Sequence, residues 1–268
     1  MVFRSQFLMV AAGFSVLVLT GAGCKSTPAG VVVNEVKTSS PTGSLGLNKP
    51  PNEPIKPTSD QLPIQQPKVA PEALNNQVHR LKVLPVPFTS QAPEANWDLP
   101  YQEACEEASM VMAAEYFKGN KNLQLATAYA NQEILKLVDW QKINRGFYED
   151  TTASQVVSII KDYYDLTAEV ADYNPEVVKQ ALLNNRLVLI PFAGRLLGNP
   201  YFHRPGPLYH MLVVKGYEGD EFITNDPGTK RGESFRYNKS VFDRAAHDWN
   251  GGDVEHGASV MIIVRRKE

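Results

Sequence analysis

Proline decides where this chain can fold. Residues 25 to 80 carry nine of its 19 prolines and not one Phe, Trp or Tyr. A stretch such as Asn48-Lys-Pro-Pro-Asn-Glu-Pro-Ile-Lys-Pro57 has little apolar surface to set against the entropy of ordering its backbone. Proline also holds such a stretch extended. Residues 24–80 are therefore expected to form a disordered, semi-stiff tether, and residues 81–268 a single domain of ordinary size.

Ahead of the tether, Arg4 gives a basic start, Phe7 to Leu19 is apolar apart from Ser15, and the small residues Thr20-Gly-Ala-Gly23 lead to Cys24. This is the pattern of an export signal over residues 1–23. Its apolar run is well short of the ~20 residues of a spanning helix. Small residues directly before a cysteine resemble the bacterial lipoprotein processing site. That resemblance implies lipidation of Cys24 and an anchor on the outer face of the bacterial cell membrane. Gly21 stands where the pattern prefers leucine, and plain secretion after cleavage near Ala22 is the alternative.

Only two cysteines are present. With Cys24 spent on a lipid, Cys105 has no disulfide partner in an oxidising compartment, and it is either inert packing or a nucleophile. A net charge of −2 with both signs interspersed supplies no basic surface for nucleic acid. No His-x-x-x-His or Cys-x-x-Cys spacing suggests a metal, and no cofactor is expected. The stretch His247 to Asp253 does not fit a calcium loop and reads as a polar loop near a cleft.

Within the domain, Leu81 to Phe88 alternates as a strand whose two prolines confine it to an edge. Gln102 to Lys118 has helical spacing and stops at Gly119. Helices are also expected over Ala126 to Val138, from the capping box Thr152-Ala-Ser-Gln155, and from Asn174-Pro175. Leu187 to Phe192 is too short and too apolar for anything but a buried strand. Tyr209 to Tyr217 and Glu221 to Thr224 form a hairpin, followed by a strand over Gly232 to Tyr237, a short helix over Ser240 to Ala246 and a closing strand over Ser259 to Arg265. Helices first and antiparallel strands later make an α+β domain.

Cys105 opens the first of these helices, where free N–H groups and the helix dipole favour a thiolate. Such a nucleophile needs a base. Among the five histidines, His79 falls in the tether, whereas His210 heads the buried run His210-Met-Leu-Val-Val214 and can face a cleft. The hairpin supplies a third group. If Glu218-Gly-Asp220 is a three-residue turn, Asp226 lies on the face of His210; if the turn has two residues, Asn225 takes that face. Gln91, on the loop after the first strand, is a candidate oxyanion donor, with Gln102 as its rival.

Four segments, in order, are Val86-Pro-Phe-Thr-Ser-Gln91, Ala104-Cys105-Glu-Glu-Ala-Ser109, Tyr209-His210-Met-Leu-Val-Val and Asn225-Asp226-Pro-Gly. Together they resemble the bacteriocin-processing, double-glycine-leader family of papain-like cysteine peptidases, especially its stand-alone bacterial relatives. The resemblance implies a papain-like fold with an N-terminal helical half and a C-terminal antiparallel sheet. It implies Cys105 as nucleophile, His210 as general base and acid, Asp226 as orienter and Gln91 in the oxyanion hole. Glu106 stands where the family often has glycine, and Asn96-Trp97-Asp98 lengthens the interval between Gln91 and Cys105. The expected function is a membrane-tethered thiol peptidase or amide hydrolase, monomeric, acting on exported peptides or proteins. Cell-wall cross-bridge peptides are the alternative substrate, and a non-catalytic peptide-binding lipoprotein is the alternative class.

Overall fold

From Cys105 to Glu115 every residue of the first helix is buried, so that helix has to lie between other elements. The computed structural model describes residues 81–268. The export signal, Cys24 and the tether lie outside the described residues. The helix in question, α1 (Cys105–Phe117), follows a short 3-10 turn at Tyr101–Glu103. Ala104, Ala108 and Val111 on one side of it pack with Leu125, Ala130 and Ile134, the last two on α2 (Thr127–Asn144). Its other sides meet α3 (Ala153–Tyr164) and the sheet.

Cap chemistry sets the helix starts where it was expected to. Thr152 accepts from the Gln155 amide while Gln155 Oε1 accepts from the Thr152 amide at 2.8 Å, which is the reciprocal capping box. Helix α4 (Pro175–Leu183) is capped by Asn174, with Pro175 at its first position. The other described elements are β1 (Leu81–Val83), β2 (Leu166–Asp172), β3 (Leu187–Ala193), β4 (Tyr209–Glu218), β5 (Glu221–Asn225), β6 (Phe235–Asn238), α5 (Lys239–Ala245) and β7 (Val260–Arg266).

The strands form one antiparallel sheet in the order β2-β7-β3-β4-β5-β6, with β1 paired to the outer end of β4. Strand β3 is central and buried along its whole length, as its unbroken apolar run requires. The α+β architecture, helices before the main body of an antiparallel sheet, is the one expected, and a cysteine-bearing helix packed on that sheet is the papain-like arrangement. Two elements differ from the sequence pattern. The first strand stops at Val83 because the prolines that follow remove ladder donors, leaving only an isolated bridge from Phe88 to Gln124. Strand β2 has no expectation behind it: its half-exposed edge position leaves little alternation to read.

Candidate active site

Where α1 begins is fixed by a loop residue. Gln91 Nε2 donates to the carbonyl oxygens of Tyr101 at 2.9 Å and of Gln102 at 3.0 Å, pinning the turn just ahead of Cys105. Both amide N–H bonds of Gln91 are thereby committed to backbone. Gln91 thus lies in the wall of the cleft, but as a staple for the turn rather than a free donor. Its rival Gln102 also lines the cleft and hydrogen-bonds Glu103 through its side chain. Ala104, at the N-cap, offers no side chain to the first-turn amides of α1.

Cys105 is a free, buried thiol, 5% exposed. The thiol donates to Glu106 Oε2 at 2.9 Å. One turn further on, Ser109 Oγ donates to Met211 O at 3.2 Å, so α1 is held against β4 beside the candidate base. Burial pushes the Cys105 thiol well above its ordinary range, and the neighbouring Glu106 charge adds to the rise.

His210 Nε2 and Asp226 Oδ1 are 2.8 Å apart, and both side chains are essentially inaccessible to solvent. The hairpin reaches this register by a route that neither simple turn provides. Glu218 pairs with Glu221, which makes the tip a two-residue turn, but a bulge between Val214 and Gly216 then shifts the ladder so that Val213 faces Asn225. The shift carries Asp226 onto the face of His210. Asn225 turns the other way and donates to Val86 O at 3.0 Å and Pro87 O at 3.2 Å, securing the segment after β1.

Four donors converge on Asp226. Gly228 N and His210 Nε2 reach Oδ1, and Asn199 Nδ2 at 3.0 Å and the Tyr237 hydroxyl at 2.5 Å reach Oδ2. Burial alone would push this carboxyl up, but the His210 ring, Tyr237 and Gly228 outweigh it and hold the group below the usual carboxylate range. An ionised Asp226 can only accept, so the proton of the neutral imidazole is assigned to Nε2 and the lone pair to Nδ1. The ring packs edge-on to Phe202 and against Gly228, where a Cβ would come 2.9 Å from His210 Cε1. Glycine is what leaves room for the imidazole there.

Two further buried carboxylates follow the cysteine, and the motif pattern gives no sign of their roles. Glu106 accepts from Thr151 N at 2.9 Å and Thr151 Oγ1 at 3.3 Å, and burial pushes its pKa up to about 7. Glu107 is raised well above the carboxylate range by burial, then by the charge of Glu106. Gln141 Nε2 donates to Glu107 Oε1, while Glu107 Oε2 and Gln141 Oε1 are both left without a partner. Protonation turns Glu107 into a donor, which is what Gln141 Oε1 lacks.

A pH dependence of stability follows. Both carboxyls hold protons in the folded chain that the unfolded chain releases near ~4.3. Stability therefore falls as pH rises from that value through about 7, the raised pKa of Glu106. Glu107→Gln, which mimics the protonated acid, is expected to raise Tm at pH 8 by about 3 °C or more and to flatten this fall. A scanning-calorimetry series from pH 5 to pH 8 checks it; a lower Tm than wild type at pH 8 would mean that Glu107 is needed as an anion.

Cys105, Glu106 and His210 line one cleft of about 860 Å³ between the helical half and the sheet. Its rim carries half-exposed apolar groups, Trp97, Tyr201 and Leu208. Acidic side chains, Glu103 and Asp150, come from the helical side; burial raises both, followed by the charges of Asp150 and Glu149 for Glu103 and of Glu149 for Asp150. Arg195, Lys230 and Arg231 come from the loops around the sheet, with Arg231 over the Tyr201 ring. Among the described residues no group of three or more His, Cys, Asp or Glu side chains could hold a metal ion.

A protein-family model described as Peptidase_C39 like matches residues 83–251. Among solved structures, a candidate C39-like peptidase from Bacillus anthracis aligns at 16% identity with a TM-score of 0.47, covering 70% of this chain and 98% of its own. No curated protein matches.

Proposed function

The chain belongs to the C39-like peptidase family, and from that premise we propose that it is a cysteine peptidase whose nucleophile is Cys105, whose general base and acid is His210 and whose orienting group is Asp226. The observation that carries the reading is the buried His210–Asp226 pair at 2.8 Å, with His210 lining the same cleft as the free Cys105 thiol. A free thiol and an oriented imidazole in one open cleft are the parts thiol acyl transfer requires.

In this reading the Cys105 proton passes to His210 Nδ1 as Sγ bonds to the scissile carbonyl carbon. The first-turn amide of Cys105 donates to the oxygen on which negative charge develops. His210 then gives that proton to the departing amine nitrogen, leaving a thioester. Water attacks the thioester with His210 as base, and release of the carboxylic acid returns the thiol. Asp226 keeps the ring in one tautomer throughout. An apolar rim and unpaired charges on both walls suit an extended peptide with charged side chains, from an exported protein or a cell-wall cross-bridge.

The test is cleavage of a mixed peptide library, with products sequenced by mass spectrometry and Cys105→Ala as the blank. Products that appear with wild type and are absent with Cys105→Ala are expected. An intact library, with peptides retained on the wild-type protein, would favour a non-catalytic binding module.

A further inference from the structure

The geometry gives the Cys105 sulfur a carboxylate as its proton acceptor. The thiol donates to Glu106 Oε2 at 2.9 Å, and Glu106, 1% exposed, is fixed from its other oxygen by Thr151 N and Thr151 Oγ1. A carboxylate held this way cannot swing off into solvent, and at so short a range its charge acts on the sulfur through little water. Resting on the reading of Cys105 as nucleophile, we propose that Glu106 is a positioning residue that competes with His210 for the Cys105 proton. Ionised, it holds the thiol in its resting, protonated state; protonated, it turns donor and supports the thiolate.

The balance is simple. Three sites can hold protons, the Cys105 sulfur, Glu106 Oε2 and His210 Nδ1, and the one that matters for attack is the thiol proton. Attack requires it to reach His210, because only there can it go on to the leaving amine. With Glu106 ionised, forming the thiolate places two negative charges side by side, so the thiol keeps its proton. With Glu106 protonated from solvent, its O–H points at the sulfur, and the thiol proton is free to pass to the imidazole. No bond other than S–H, O–H and N–H changes in this step, and the one species taken up is the solvent proton on Glu106.

The surroundings of Glu106 reinforce its reluctance to ionise. Glu107 lies next to it on α1, Asp150 adds negative charge from the segment before α3, and Tyr209 faces it from β4. Beyond these, Glu103 and Glu149 extend the negative field around Asp150, and Asp248 accepts from the Tyr209 hydroxyl at 3.1 Å. Groups able to carry positive charge also line this cleft: the His210 and His203 rings, Arg195, Lys230 and Arg231. Burial, partly offset by the bonds from Cys105 and Thr151 and reinforced by the charge of Asp150, places the switch of Glu106 at about 7.

Iodoacetamide alkylation of Cys105, followed by mass spectrometry from pH 5 to pH 9, tests this without any substrate. Glu106→Gln keeps the bond from Thr151 N and removes the charge. At pH 5 the variant and wild type are expected to react alike. By pH 8 the variant should react roughly three- to tenfold faster, a larger thiolate fraction being partly offset by lower intrinsic nucleophilicity. A ratio that stays constant across this range, or a slower variant at pH 8, would overturn the proposal. The infrared carboxylic-acid band provides a readout independent of that variant's folding. In Cys105→Ala the band should persist to higher pH than in wild type, because the donor that favours the anion is gone; an unchanged titration overturns the proposal too. Failure of the peptidase reading shows separately, as an intact peptide library.

Discussion

Replacing His210 by alanine is expected to lower kcat/KM for peptide hydrolysis by about 10²–10⁴-fold while leaving the fold in place. That is the range general acid–base catalysis supplies when one positioned side chain is removed. The loss should be confined to chemistry because Asp226 keeps Gly228 N, Asn199 Nδ2 and the Tyr237 hydroxyl after the ring has gone, so no buried charge is stranded. Cys105 would retain Glu106 as its neighbour, and a carboxylate confined by Thr151 cannot follow the proton to the leaving amine. Progress curves on a cleaved library peptide measure the effect, with a thermal melt to establish folding. A loss of less than tenfold would show that the thiol uses another base.

Asp226→Ala should act on the fold itself, destabilising it by about 3–5 kcal/mol, the cost of leaving several buried donors without an acceptor. The carboxylate ties β4, the Asn199 segment and β6 together, and its loss leaves the Asn199 amide, the Tyr237 hydroxyl and His210 Nε2 without their acceptor. Urea unfolding at pH 7 gives the number, with the slope against denaturant compared to establish that both chains unfold from equally compact states. A change under ~1 kcal/mol would mean that water replaces the carboxylate and that the cluster is not held as tightly as its burial implies. The two substitutions separate chemistry from architecture: in the proposed mechanism the histidine serves mainly the first, the aspartate both.

How far such roles can be read from a chain depends on the range of the signal that carries them. Cys105 at a helix start and His210 at the head of a buried strand are local features, a cap position and an apolar run, and they are legible. The partner of His210 is not, because it depends on the extra residue at the Val214/Gly216 bulge, which no turn signal at the hairpin tip reveals. Reading the turn alone leaves Asn225 and Asp226 as equal alternatives; the bulge separates them. Gln91 falls in the cleft wall, yet its two donors go to backbone that is ten and eleven residues away, a pairing set by how a polar loop folds. Glu106 and Glu107 look like ordinary dipole-favoured acids in a first turn, and only the packing around α1 reveals that they are buried.

The cluster around Asp226 also bears on descent. A relative that gave up hydrolysis would be free to lose Cys105 or His210, since neither is the hub of a buried ionic cluster. It would keep Asp226, Tyr237 and Asn199, because losing the hub would unfold it. Retention of the aspartate is therefore a poor marker of a working enzyme, and the cysteine–histidine pair is the one to follow when relatives of this chain are sorted into catalysts and binders.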